Sequence, residues 1–162
     1  MKIKNITQKN NGIALLFSIM LSAIFLSIAM GVLTVATKEL NFSSSAKDTN
    51  NAFFAADSGT ECALYSDRAD INAFMNIGDN VFSCFGMSLN LNNNFPDYSF
   101  VIGGLGSNAR SCVKVSVLKT IDPKDPTVAL STKIISKGYN IGDENCDSSN
   151  GNRVERVIEV NY

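Results

Sequence analysis

The sequence predicts an α+β chain in which one long N-terminal helix, half membrane-spanning and half exposed, packs on a small antiparallel sheet of about four strands. Three observations predict this. Gly12–Thr37 is a run of 26 residues without a charge, no proline occurs before Pro96, and residues 98–162 hold four β-rich or alternating segments separated by turn residues.

The uncharged run sits between Lys9 and the Lys38–Glu39 pair. A secretory apolar segment needs about 7–15 residues, whereas a bilayer-spanning helix needs roughly 20. At a helical rise this run would extend about 39 Å, enough to cross hydrocarbon with some tilt. Lys2, Lys4 and Lys9 precede it and no acidic residue occurs among the first twelve, so the positive-inside rule keeps the N-terminus cytoplasmic. Residues from about 38 onward are then translocated. The net charge is −1 overall, and after Gly12 there are 11 basic against 15 acidic residues. With no basic patch to neutralise phosphates, nucleic acid is not expected as a partner.

Beyond the span, residues 38–66 lack a strong breaker cluster and extend the helix. Phe42, Ala46, Thr49, Phe53, Ala56, Thr60 and Ala63 recur at spacings of four and three, which predicts a narrow stripe of small residues and two phenylalanines facing a sheet or a neighbouring helix. Gly31 and Gly59 read as weak points, each costing about 1 kcal/mol relative to alanine.

Residues 67–97 read as a connecting loop, with Gly78-Asp79, Gly86 and Asn92-Asn93-Asn94, and one short regular segment near Ile71–Met75. Tyr98–Ile102 is the first predicted strand, closing at Gly103-Gly104 as a hairpin turn. Ser111–Lys119 alternates, with Cys112 or Val113, Val115 and Val117 on one face against Lys114, Ser116 and Leu118 on the other. Asp122-Pro123-Lys124-Asp125-Pro126 is a turn by composition. Thr132–Tyr139 is the third strand, Asn145–Asn152 a polar loop, and Arg153–Tyr162 the fourth strand. The part beyond the span is enough for one small core.

All four cysteines, Cys62, Cys84, Cys112 and Cys146, lie beyond the span. An even count in an oxidising compartment predicts two disulfides, and of three possible pairings Cys62–Cys84 with Cys112–Cys146 is favoured because each joins neighbouring elements. No metal, cofactor or catalytic site is expected. The chain has no histidine, which removes the usual general base and the Ser-His and Cys-His nucleophile pairs, and no Cys-x-x-Cys spacing for zinc. Gly103-Gly104-Leu105-Gly106-Ser107 lacks the lysine of a phosphate loop. Asp143-Glu144-Asn145-Cys146-Asp147 spaces oxygen ligands like the opening of a calcium loop. Ser148 stands where that loop needs glycine, however, and Val154 where it needs glutamate.

At Lys9-Asn10-Asn11-Gly12-Ile13 a short basic leader meets a glycine just before an apolar residue. Here the sequence resembles the type IV pilins and the pseudopilins of type II secretion. Asn51-Ala52-Phe53-Phe54-Ala55-Ala56-Asp57-Ser58-Gly59 is similar to the motif of the PilX N-terminal-type minor pilins, an aromatic followed by two alanines and an acidic residue. The resemblance implies a pilin-like fold, cleavage of leader residues 1–12 between Gly12 and Ile13 by a prepilin peptidase, and methylation of Ile13. It divides the chain into an assembly half of the helix at 13–37, an exposed half at 38–66, and a loop and sheet region at 67–162. The partners it implies are the peptidase, other pilins or pseudopilins, an inner-membrane assembly platform and the lipid bilayer.

One departure from the family carries information. Its members place a glutamate five residues into the mature chain, and this chain has Phe17 there. No acidic residue precedes Glu39. In the family that carboxylate pairs with the amino terminus of an adjacent subunit, so a subunit without it is expected at the filament tip or in a priming complex. The competing expectation is a single-pass membrane anchor carrying an extracytoplasmic binding domain that never polymerises.

Overall fold

A computed structural model describes residues 11–68, 74, 81–94, 96–148 and 151–162. The leader lysines Lys2, Lys4 and Lys9 lie outside these residues, as does the segment expected near Ile71–Met75 apart from Phe74. The architecture is α+β. Helix α1 (Asn11–Arg68) is followed by β1 (Val81–Cys84), β2 (Met87–Asn90), β3 (Asn92–Asn94), β4 (Asp97–Leu105), β5 (Ser111–Asp122), β6 (Asp125–Tyr139) and β7 (Glu155–Asn161). The chain divides into two units between Ser44 and Ser45.

The first unit is helical from Asn11 and has no core of its own among the described residues. Its large apolar side chains from Ile13 to Val35 are exposed, Phe17 to 65%. Every hydroxyl between Ile13 and Thr37 donates back into its own helix. Ser18, Ser22, Ser27, Thr34 and Thr37 bond the carbonyls of Leu15, Ile19, Ile24, Met30 and Thr34 at 2.8–3.0 Å. A helix so arranged leaves no side-chain donor unsatisfied in hydrocarbon.

The second unit holds the sheet. β4, β5, β6 and β7 form an antiparallel meander, with β3 added at the β4 edge to give the order β3-β4-β5-β6-β7. These are the four strands expected from the alternation, and β5 carries it most cleanly, with Val113, Val115 and Val117 buried and Ser116 and Leu118 exposed. The remaining strands correct the expectation of a loop over 67–97. Val81–Cys84 and Met87–Asn90 form a separate hairpin around Phe85 and Gly86, both at positive φ, and Asn92–Asn94 pairs with Asp97–Ser99. Phe82 and Leu89 of this hairpin enter the core, where Phe82, Phe100, Tyr98 and Phe74 pack ring against ring with centroids 4.9–6.4 Å apart.

Two further expectations are corrected. Gly103 and Gly104 are not the hairpin turn. They sit in an irregularity of the β4–β5 ladder between Ile102 and Leu105, and the chain reverses over 106–109. The predicted helical stripe is right at Ala56, Thr60 and Ala63, which are buried, and wrong at its two phenylalanines. Phe42 is 77% exposed and Phe53 47%, while Ala52, Ala55, Ala56, Gly59, Thr60, Cys62, Ala63 and Ser66 make the buried face.

Small residues define that face because the sheet comes close. A Cβ on Gly59 would lie 2.6 Å from Ser136 Oγ and 2.7–2.8 Å from the methyls of Val113 and Val115. A Cβ on Gly138 would overlap the Ala52 carbonyl and the Ala56 nitrogen. Gly59 is therefore a point of close helix–sheet approach and not a weakness. Ser136 Oγ fastens the contact, donating to the Ala56 carbonyl at 2.6 Å.

Candidate functional site

Three features stand out from the packing. The first is the lateral surface of Ile13–Thr37. It presents contiguous apolar side chains, and Ala14, Ser18, Ser22, Ala23, Ser27, Ala29 and Gly31 interrupt them with small residues that allow backbones to approach. Nothing lies within 4 Å of a Cβ built on Gly12 or Gly31. Gly12 and Ile13 fall in the first turn of α1, with Ile13 73% exposed. The helix is long and apolar enough to cross a membrane once.

The second feature is a polar cluster at the far end of α1. Lys119 Nζ donates to Asp67 Oδ1, and each side chain is only 5% exposed. The other carboxylate oxygen accepts from Tyr162 OH at 2.6 Å and, more weakly, from Thr132 Oγ1 at 3.4 Å. The Arg68 guanidinium stacks 4.6 Å from the centre of the Tyr162 ring. Asp67 stands in the last turn of the helix, where the dipole disfavours a carboxylate, so the lysine supplies what the helix does not. Burial and then the hydrogen bond to Asp67 push the Tyr162 hydroxyl up to about 12. The sequence signal for this cluster is the buried face of β5: alternation from Val113 through Val117 leads directly to Lys119.

The third feature is the loop between β6 and β7. Cys112–Cys146 ties it to β5 with Cα atoms 5.4 Å apart, and Cys62–Cys84 ties the β1–β2 hairpin to α1 at 5.9 Å. Asp143, the first oxygen ligand of the calcium-like spacing, is committed elsewhere. Its Oδ1 accepts from the backbone N–H of Asn145 at 3.0 Å and of Asp147 at 2.8 Å. Asp147 instead pairs with Lys114 at 2.7 Å, which holds its carboxyl below the usual range. Arg153 lies 3.6 Å over the Tyr139 ring and donates to the Cys146 carbonyl at 2.6 Å. Among the described residues no group of three acidic or cysteine side chains is placed to hold a metal ion.

The described residues thus bring together three ion pairs, two disulfide-tied segments and a long exposed apolar helix. No family model, curated protein or solved structure matches this chain.

Proposed function

We propose that this chain is a minor pilin or pseudopilin, a non-catalytic structural subunit of a type IV pilus or type II secretion-like filament, at its tip or in its priming complex. The observation that carries the reading is the 26-residue uncharged run that begins directly at Gly12, behind a leader whose only charges are lysines, and continues in one helix into a sheet-packed core. Cleavage between Gly12 and Ile13 leaves the span as the new amino terminus, so the anchor survives processing. The subunit waits in the inner membrane with its sheet domain outside. It then leaves the bilayer by packing Ile13–Thr37 against the helices of other pilins on the assembly platform. Outside the membrane, burial of that apolar surface at about 25 cal/mol per Å² favours association. Phe17 cannot offer a carboxylate to a subunit above it, which suits a position with none above.

Intact-mass measurement of the membrane form, with and without a prepilin peptidase, tests this. Loss of residues 1–12 and gain of one methyl group on Ile13 are expected, and Gly12→Ala should block both. A mature protein that keeps Met1–Gly12 overturns the reading in favour of a simple anchored binding domain. Immunolabelling spread evenly along filament shafts would overturn the tip position alone.

A further inference from the structure

The Cys62–Cys84 bridge clamps together the two walls of a cavity of about 640 Å³. Glu61, Cys62 and Tyr65 form its helix wall, and residues 83–86 form its hairpin wall. Glu61 precedes one bridged cysteine and Phe85 follows the other, so the bridge fixes these two side chains on opposite walls of the same opening. Tyr65 stands one turn beyond Glu61, on the same face of the helix.

Phe85 occupies a position where the backbone disfavours it. Phe85 and Gly86 are the two residues between the paired Cys84 and Met87, with φ of 54° and 76°. Positive φ at both defines the type I′ turn, whose first place suits asparagine, aspartate or glycine and crowds a bulky side chain. Core packing does not offset that strain. Phe82 of the same hairpin enters the core, whereas Phe85 is 57% exposed at the mouth of the cavity. Tyr65 on the facing wall is exposed to a similar degree, at 64%.

The lining carries charge of one sign only. Glu61 has no ion-pair partner among the described residues, and no lysine or arginine among them lines the cavity. Arg68, two turns further along the helix, is already stacked on the Tyr162 ring. Aromatic ring faces are themselves electronegative. An occupant therefore meets one carboxylate, two aromatic side chains and no competing cation.

We propose that this cavity binds a small molecule bearing a quaternary ammonium group, of the choline type. The rings and the carboxylate together select a cation. A primary ammonium is compact and strongly hydrated, and its three donors need acceptors in place of the water they lose. This lining is chiefly apolar, with Glu61, Ser83 and the Tyr65 hydroxyl as its polar side chains. A methyl-covered ammonium donates no hydrogen bond and loses little on leaving water, so it suits such a lining better. The volume is that of a small-molecule site. Tyr65 and Phe85 flank the cation, and Glu61 neutralises it. This proposal does not rest on the pilin reading.

The test is residue-resolved amide chemical shift on the full chain, titrated with choline at constant ionic strength. The micelles are of a non-ionic detergent, since zwitterionic ones carry the probe group themselves. Saturable shifts are expected at Glu61, Tyr65, Phe85 and Gly86, with none at Val157. Dimethylbutanol, the neutral isostere, and ethanolamine, the primary amine, should each bind about tenfold more weakly. Phe85→Asn creates the favoured Asn-Gly turn, so it should raise the melting temperature while weakening choline binding about tenfold. That opposite movement separates a lost ring from a lost fold. Absence of saturable shifts overturns the proposal. So does equal binding of dimethylbutanol, which would mark a merely apolar cavity, or of ethanolamine, which would mark simple charge attraction. Unchanged choline affinity in Phe85→Asn also overturns it.

Discussion

Lys119 and Asp67 meet across 52 residues of sequence, each with 5% of its side chain exposed, joining the middle of the sheet to the last turn of the long helix. Breaking such a pair from one side leaves a charge buried without its partner. Lys119→Met should destabilise the second unit by about 3–5 kcal/mol. Adding Asp67→Leu to that variant should restore most of the loss, because neither charge is then buried alone. Denaturant unfolding of the full chain in detergent reads both. A single variant that unfolds at the native midpoint would show that the pair does not fasten the sheet to the helix.

The helix glycines should respond to alanine with opposite signs. Gly31→Ala adds a Cβ into open space and should stabilise the helix by up to about 1 kcal/mol. Gly59→Ala drives a Cβ against Ser136, Val113 and Val115, and should destabilise by about 1–3 kcal/mol despite the better helix former. Gly138→Ala meets helix backbone, which cannot rotate away, and should be worse than Gly59→Ala. Thermal unfolding ranks all three.

Alkaline pH should loosen the second unit in a defined window. Burial, followed by the hydrogen bond and charge of Glu155, raises the Tyr139 hydroxyl to about 12. Burial, followed by Asp67, does the same for Tyr162. In the unfolded chain both ionise near 10.0. A folded-state value raised above the unfolded one gives a contribution that is complete below pH 10 and lost as pH climbs toward about 12. Tyrosinate absorbance followed alongside circular dichroism should show ionisation and unfolding together above pH 10. Tyr162→Phe should remove the part of this dependence that comes from the helix end.

Removing the Cys62–Cys84 bridge by Cys62→Ala with Cys84→Ala should cost about 2–4 kcal/mol. The loss should appear first in the β1–β2 hairpin, which pairs with no other strand among the described residues. Amide exchange would locate it: faster opening of Phe82 and Leu89 with Val115 and Val117 unchanged is the expected pattern.

The four long strands were legible because β4, β5 and β6 each bury one face and β7 half-buries Ile158 and Val160, and period-two alternation is what a half-buried strand writes into a sequence. The β1–β2 hairpin was not. Its strands are four residues each, too short for a period to emerge, and Gly86 read as a loop marker when it serves the turn. The helix existed plainly in the sequence, and so did the Ala56, Thr60 and Ala63 line of its buried face, but the width of that face did not. Alanine, serine and threonine are neither clearly core nor clearly surface, so Phe42 and Phe53 were counted on the stripe while Ala52, Ala55, Cys62 and Ser66 were not. The signal that would have corrected it was the density of small residues at Ala52, Ala55, Ala56, Gly59 and Ala63. That density marks a backbone-to-backbone approach better than any hydrophobic count. The Asp67 cluster escaped for a different reason: a lysine and an aspartate 52 residues apart look like solvated charge until a strand brings them together.

The Asp67 cluster also imposes an order on folding. During synthesis Asp67 emerges 52 residues before Lys119 and 95 before Tyr162. Until β5 arrives, the last turn of the helix carries a carboxylate that only water can satisfy, and burying it early would be heavily penalised. The helix end therefore stays hydrated while the chain behind it grows, and its closure waits on contacts of long sequence separation, the slow kind. A nascent chain stalled before residue 119 would display a finished helix whose far end still belongs to the solvent.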